Sequence, residues 1–138
     1  MIRVVLDTNV VVSGLFWRGE SYRIIRLLNA GNLKLVISPR IIAEYLRVVQ
    51  SDEILEKIGE TQRLAVTTSA HKLLLDADVV EPKIRLDVVK ADPDDDKFLE
   101  AALAGKAKYL ISKDKRLLKI GAYEDVRIIT PEAFLELL

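Results

Sequence analysis

The chain has 138 residues, half of them hydrophobic, which is the length of one domain with a sizeable buried core. Its 21 basic and 21 acidic residues cancel, so no global electrostatic attraction to nucleic acid or membrane is built in. The absence of cysteine excludes disulfides and thiolate metal sites, and the single histidine, His71, excludes a multi-histidine zinc site.

Short apolar stretches alternate with longer segments of helical period along the chain. The predicted strands are residues 2–6, 33–38, 78–82, 108–112 and 126–130. Ser38 before Pro39, and Thr130 before Pro131, mark two helix starts. Strands separated by helices need crossover connections. The pattern therefore predicts one α/β domain over residues 1–138, a three-layer α/β/α sandwich with a mainly parallel central sheet of about five strands.

Two regions of the chain bear on location and on histidine chemistry. The first apolar stretch is interrupted by Arg3 and Asp7 and lacks the pattern of a signal peptide, and no run of residues is long and apolar enough to span a bilayer. We therefore expect a cytoplasmic protein that does not enter the membrane. His71 lies in a helical stretch with no acidic motif beside it, so we expect it to have a structural or surface role.

Aspartates follow the first and fourth predicted strands. Asp7 comes directly after "IRVVL", and Asp114 comes after "YLIS" and Lys113. Taken alone, Asp7, Thr8 or Asn9 would serve as the N-cap of the next helix. Ligands of open parallel sheets bind beyond the carboxyl ends of the strands, so both aspartates are also candidate site residues.

A glutamate lies in the helix after the second strand. Glu44 falls just outside the apolar arc of that helix, beside Ile41 and Val48. A glutamate at the rim of a packed helix is the ordinary interpretation, and a side chain directed toward the sheet edge is the functional one.

The segment "DPDDDKFLEAALAG" carries the densest group of acids. Asp92 and Pro93 have the pattern of a helix start, whose positive dipole end suits the aspartates that follow. The helical period predicts that Asp95 lies in the middle of the apolar face and Asp96 toward its edge. A carboxylate on a buried face is costly without a partner, so we expect Asp95, rather than Asp96, to need a cation.

Four carboxylates converge on one pocket if the ends of the first and fourth strands are neighbours: Asp7, Glu44, Asp95 and Asp114. Mutual repulsion between four such carboxylates would raise their pKa values, so that bound protons or metal ions would neutralise the carboxylates. Oxygen ligands without His or Cys favour Mg²⁺ or Mn²⁺ over zinc. These ions support phosphodiester hydrolysis.

Basic residues lie on both sides of Asp114 in the sequence and form a basic strip. Residues 106–119 contain six Lys and Arg side chains against one acid, a local charge of +5. The strip is either a solvated loop paired with the acidic helix start or a track for the phosphates of a nucleic acid, with Lys113, Lys115 and Arg116 as the contacts.

The ordered segments "VVLDTNVVVSGL", "SPRIIAEYLRVV", "DPDDDKFLEAALAGKAKYLIS" and "SKDKRLL" resemble the PIN domain family of metal-dependent ribonucleases, which includes the VapC-type toxins of toxin–antitoxin pairs. The likeness covers nearly the whole chain. It implies a Mg²⁺- or Mn²⁺-dependent endoribonuclease, an antitoxin protein as partner, a homodimer, and products with a 5′-phosphate and a 3′-hydroxyl. It implies that the metal-binding and catalytic acids are Asp7, Glu44, Asp95 and Asp114, supported by the polar residues Asn9 and Ser112.

Two residues depart from the pattern of the nearest branch of that family. Arg116 stands where a second acid is frequent, and Lys113 stands where glycine is frequent. They leave open whether one or two metals bind, and they favour an alternative, a catalytically weak PIN-fold module that binds RNA or protein. An aspartyl-phosphate phosphatase is disfavoured because Asn9 occupies the position, two residues after Asp7, where that chemistry needs a second aspartate.

Overall fold

A six-stranded sheet forms the middle layer of the computed structural model, which describes residues 1–138. The strands are β1 (Ile2–Leu6), β2 (Leu33–Ile37), β3 (Asp78–Val79), β4 (Tyr109–Ile111), β5 (Ala122–Tyr123) and β6 (Val126–Ile129). They lie in the order β3-β2-β1-β4-β6-β5. All neighbours are parallel except β5 and β6. The predicted α/β class and mainly parallel sheet are confirmed, and the strand beyond the predicted five is the short antiparallel β5.

Eight α-helices cover the sheet. They are α1 (Thr8–Phe16), α2 (Glu20–Asn29), α3 (Pro39–Val49), α4 (Asp52–Leu55), α5 (Glu60–Asp76), α6 (Asp96–Ala104), α7 (Lys115–Ile120) and α8 (Pro131–Glu136). Both predicted proline-marked helix starts are confirmed, because Ser38 Oγ accepts from Ile41 N (3.4 Å) and Thr130 Oγ1 accepts from Ala133 N (3.1 Å). His71 lies exposed on α5, in agreement with a surface role.

The strand order reverses direction between β1 and β4. The chain runs outward from β1 to β2 and β3, and then crosses back to β4 on the other side of β1. Right-handed crossovers place α2 and α5 on one face of the sheet and α6 on the other, where α6 packs against β1, β2 and β4. The carboxyl ends of β1 and β4 therefore form the switch point at which open α/β sheets bind ligands.

Backbone hydrogen bonds fix these two strand ends side by side. Leu6 lies opposite Ile111 in the register of β1 and β4, and Asp7 N donates to Ile111 O (3.0 Å). Ser112 N donates to Ile129 O of β6 at the same distance. The residues that follow β1 and β4 are thus neighbours at one edge, which is the arrangement on which convergence of the acids depends.

The segment between β3 and α6 has no helix or strand over residues 80–92, and two buried acids of α6 hold it in place. Asp96 Oδ1 accepts from the backbone N of Val88 and of Val89 (both 3.0 Å). Glu100 Oε2 accepts from Leu86 N (2.9 Å). These bonds satisfy N–H groups that no strand pairs.

The predicted placement of Asp95 and Asp96 on their helix is wrong. Asp96 is 3% exposed, whereas Asp95 is half-buried. The reason is local: Pro93–Asp95 forms a 3₁₀ turn and α6 begins only at Asp96, so the α-helical period does not extend back to Asp95. Asp96 is a structural acid, and Asp95 is the one turned toward the strand ends.

We predict that Asp96→Ala lowers the free energy of unfolding by about 3 kcal/mol, because the buried N–H of Val89 and the partly buried N–H of Val88 lose a charged acceptor. Denaturant unfolding followed by circular dichroism measures the change. Asp87→Ala, at an exposed position in the same segment, is the control, and we expect it to stay within about 0.5 kcal/mol of wild type. Equal losses in the two variants would contradict this role of Asp96.

Candidate active site

Asp7 lies at the centre of the switch point. It is 6% exposed, and its Oδ2 accepts from Ser112 Oγ (2.7 Å) across the β1–β4 boundary. Ser112 Oγ in turn accepts from Asp114 N (2.9 Å). Asp7 forms no side-chain cap for α1, so the helix-cap interpretation does not describe its carboxylate. Burial raises the pKa of Asp7, although the hydrogen bond from Ser112 lowers it in part. The charges of Asp114 and Glu44 raise the pKa further.

Asp95 approaches the same edge from the turn before α6. Burial, together with the charges of Asp7, Asp92 and Asp114, raises the pKa of Asp95 to about 7. Its side chain caps no helix. A buried acid whose pKa is raised toward neutrality and that lies near other acids marks a place where a cation is favoured.

Asp114 is a further acid near these strand ends, and Arg116 is its counter-ion. Its Oδ1 accepts from Arg116 N (2.8 Å), and Arg116 Nη2 lies 3.1 Å from its Oδ2. The hydrogen bonds from Arg116 hold the pKa of Asp114 below its ordinary value. The structure therefore places the guanidinium of Arg116, which the sequence suggested as a phosphate contact, against Asp114.

Glu44 reaches the site from α3, where both of its carboxylate oxygens are already engaged. Lys97 Nζ of α6 donates to Glu44 Oε1 (2.7 Å), and Thr8 Oγ1 of α1 donates to Glu44 Oε2. Tyr45, the next residue, donates its hydroxyl to the backbone O of Leu6, which ties α3 to the end of β1.

Lys97 is the most buried cation of this site. Only 3% of its side chain is exposed, and it donates to Asp94 Oδ2 (2.6 Å) as well as to Glu44. Burial alone would lower the pKa of Lys97, but its hydrogen bonds to Asp94 and Glu44 raise it above the ordinary value. The sequence pattern did not predict Lys97 and Thr8 as residues of this site. Two features could have indicated them: the lysine between acids and apolar residues in "DDDKFL", and the hydroxyl group next to Asp7.

The remaining predicted residues lie around the rim. Asn9 is exposed in the first turn of α1. Lys113 is exposed, and its Nζ lies 3.3 Å from Ser13 Oγ on α1. Lys115 is exposed at the start of α7. All three side chains are exposed, and each follows closely on Asp7 in the chain or flanks Asp114.

Comparison with known proteins identifies the family. Residues 3–116 match the PIN domain. The chain belongs to the PIN domain family. The resemblance seen in the sequence motifs is thereby confirmed. A search of curated proteins gave no match.

Two solved structures share the PIN fold at low sequence identity. One is VapBC2 from Rickettsia felis bound to a DNA fragment from the promoter, with a TM-score of 0.59, 15% identity, and coverage of 94% of this chain and 98% of that chain. The other is PAE2754 from Pyrobaculum aerophilum, with a TM-score of 0.64, 15% identity, and coverage of 98% and 88%. Identity at this level shows the fold alone.

The PIN family generally uses divalent cations, and the residues of this site fit one in part. Asp7 and Asp95 supply hard oxygen atoms, and burial together with the charges of neighbouring acids raises the pKa of both, which favours a cation beside them. Glu44 and Asp114 are instead held by Lys97 and Arg116. No three acids lie close enough together to hold one metal ion. The candidate cation site is therefore the pair Asp7 and Asp95.

We predict that Asp95→Asn raises the melting temperature of the metal-free protein at pH 8 and has no effect near pH 4. Ionised Asp95 costs the folded state more than the unfolded chain, because its folded pKa of about 7 lies above the ordinary 3.8. Wild type therefore loses stability as the pH rises from about 4 to about 7, and the loss is complete above that range. Thermal unfolding in EDTA measures the difference between the two proteins.

Asp125→Asn, in the exposed turn between β5 and β6, is the matched control for that pH series. A difference in melting temperature between Asp95→Asn and wild type that does not change with pH would contradict a raised pKa for Asp95.

Proposed function

We propose that this PIN domain is a Mg²⁺- or Mn²⁺-dependent endoribonuclease and the toxin component of a toxin–antitoxin pair. The observation that carries the proposal is the crowding of Asp7 and Asp95, both with raised pKa values, at the switch point of a parallel sheet. PIN domains are typically nucleases, which supports hydrolase activity on nucleic acid.

In the proposed mechanism Asp7 and Asp95 bind the divalent cation. When bound, that ion supplies a Lewis acid for the phosphoryl oxygens and lowers the pKa of water. Ser112 fixes Oδ2 of Asp7 and so leaves its Oδ1 available. Asp114, and Glu44 through its pair with Lys97, complete the acidic surroundings. Hydrolysis would leave a 5′-phosphate and a 3′-hydroxyl.

Positive charge and hydrogen-bond donors on the rim are suited to an RNA backbone. Lys113 and Lys115 are exposed and flank Asp114 in the chain, and the amide of Asn9 is exposed in the first turn of α1. We propose that the two lysines bind phosphates next to the scissile one, while Asn9 supports the site as a hydrogen-bond donor. Arg116 contacts a phosphate only if it leaves Asp114.

The proposed protein partner is an antitoxin. One structure with the same fold is a VapBC2 complex on promoter DNA, which supports a partner of this kind without identifying it. We also propose that the chain forms a homodimer, which light scattering after size exclusion would test. No helix of the structure is long and apolar enough to cross a membrane.

A second candidate function is a catalytically weak module that binds RNA or protein. It is favoured by the Glu44–Lys97 and Asp114–Arg116 pairs, which occupy two of the four acids, and by the absence of three acids at metal-binding distance. Calorimetric titration with Mn²⁺ separates the two candidates, since only the nuclease requires measurable binding.

We predict that purified wild type cleaves single-stranded RNA with Mn²⁺ and not in EDTA, and that Asp7→Asn lowers the rate by at least about 100-fold. A change outside the ligand shell already costs up to about that factor in metal sites, so loss of a ligand costs as much or more. Asp125→Asn is the control and should cleave like wild type. Unchanged cleavage by a folded Asp7→Asn protein would contradict the assignment.

We predict that the double variant Lys113→Ala/Lys115→Ala binds single-stranded RNA more weakly and with a flatter salt dependence. Each lost phosphate contact should reduce the slope of log K against log salt by about 0.7. Fluorescence anisotropy at several salt concentrations measures this slope. Lys72→Ala, which removes an exposed lysine on α5, should leave the slope unchanged. Equal slopes for all three proteins would contradict the proposed track.

A further inference from the structure

Lys97 has an acceptor for each of its three hydrogen-bond donors. An ammonium group has three donors, and Lys97 Nζ lies 2.7 Å from Glu44 Oε1, 2.6 Å from Asp94 Oδ2 and 3.3 Å from Asp94 O. Its side chain is 3% exposed. A charge that is so far removed from water is stable only while these acceptors remain in place.

Both carboxylate oxygens of Glu44 already accept hydrogen bonds from the protein. Lys97 holds one of its oxygens and the hydroxyl of Thr8 holds the other. Arg47 Nη2 adds a weaker contact at 3.9 Å from Oε1. A divalent ion bound to Glu44 would have to displace Lys97 or share the carboxylate with it. Displacement would leave a buried ammonium group without one of its acceptors, and sharing would place that group beside a like charge.

We propose that the ammonium group of Lys97 is a built-in cation that replaces a second divalent ion at Glu44, so that the site binds one metal ion. This inference rests on the proposed metal-dependent function and deepens it. Two-metal sites place ions about 4 Å apart to stabilise the attacking and leaving oxygens. Here one ion, held by Asp7 and Asp95, would be flanked by a fixed positive charge on α6. Glu44 is then a positioning residue that anchors Lys97 and not a metal ligand.

Calorimetric titration with MnCl₂ counts the bound ions directly. We expect one Mn²⁺ per chain for wild type and two for Lys97→Met, which leaves Glu44 free to bind metal. Lys72→Met is the matched control because Lys72 also pairs with an acid, Asp76, but lies exposed on α5. It changes the net charge equally and should still bind one ion. Two ions bound by wild type, or one ion bound with unchanged affinity by Lys97→Met, would overturn the proposal.

Glu44→Gln tests the same inference without removing the buried lysine. The amide oxygen still accepts from Lys97, so we expect the protein to fold. Because we propose that Glu44 is not a ligand, the dissociation constant for Mn²⁺ should change by less than about 100-fold, whereas loss of a ligand should cost as much or more. A larger loss of affinity in a folded Glu44→Gln protein would overturn the proposal.

The titrations also separate this inference from the proposed function. If wild type binds no Mn²⁺ and Lys97→Met binds one ion, Lys97 does replace a metal, and the metal-dependent nuclease is wrong. If neither protein binds Mn²⁺, both are wrong. If wild type binds one ion at Asp7 and Asp95 and Lys97→Met binds two, both are supported.

Discussion

The parallel pairing of β1 with β4 is the constraint on which the site depends. These strands are far apart in sequence, and their pairing places Asp7 beside Ser112 and within the electrostatic influence of Asp114. The same boundary is where the strand order reverses, so the connecting helices diverge and leave the edge open. α3 and the turn before α6 approach that opening and bring Glu44 and Asp95 to it.

The four acids at this edge are compensated in different ways. Glu44 has Lys97, Asp114 has Arg116, and Asp7 has the hydroxyl of Ser112. Asp95 has no such hydrogen-bond partner, and burial together with the charges of neighbouring acids raises its pKa to about 7. The protein thus neutralises part of its own acidic site and leaves the remainder to an external cation or to protons. This division agrees with the absence of any three acids close enough together to hold one metal ion.

The sequence predicted features that depend on local pattern or on motif order: the sandwich, the proline-marked helix starts at Ser38 and Thr130, and the family. It could not determine which strands are neighbours, because strand order follows from long-range crossovers. The predicted position of Asp95 on the apolar helix face was wrong because a 3₁₀ turn precedes α6. The residue pattern does not mark that change of helical period. Lys97 was missed because its partners are Asp94 nearby and Glu44, which is 53 residues away in the chain.

The most direct test of the central claim is a crystal structure with Mn²⁺, in which the anomalous signal locates every bound ion. We expect one anomalous peak, in contact with the carboxylates of Asp7 and Asp95, with Lys97 still between Glu44 and Asp94. A second peak on Glu44, or a single peak coordinated by Glu44 with Lys97 displaced, would contradict it.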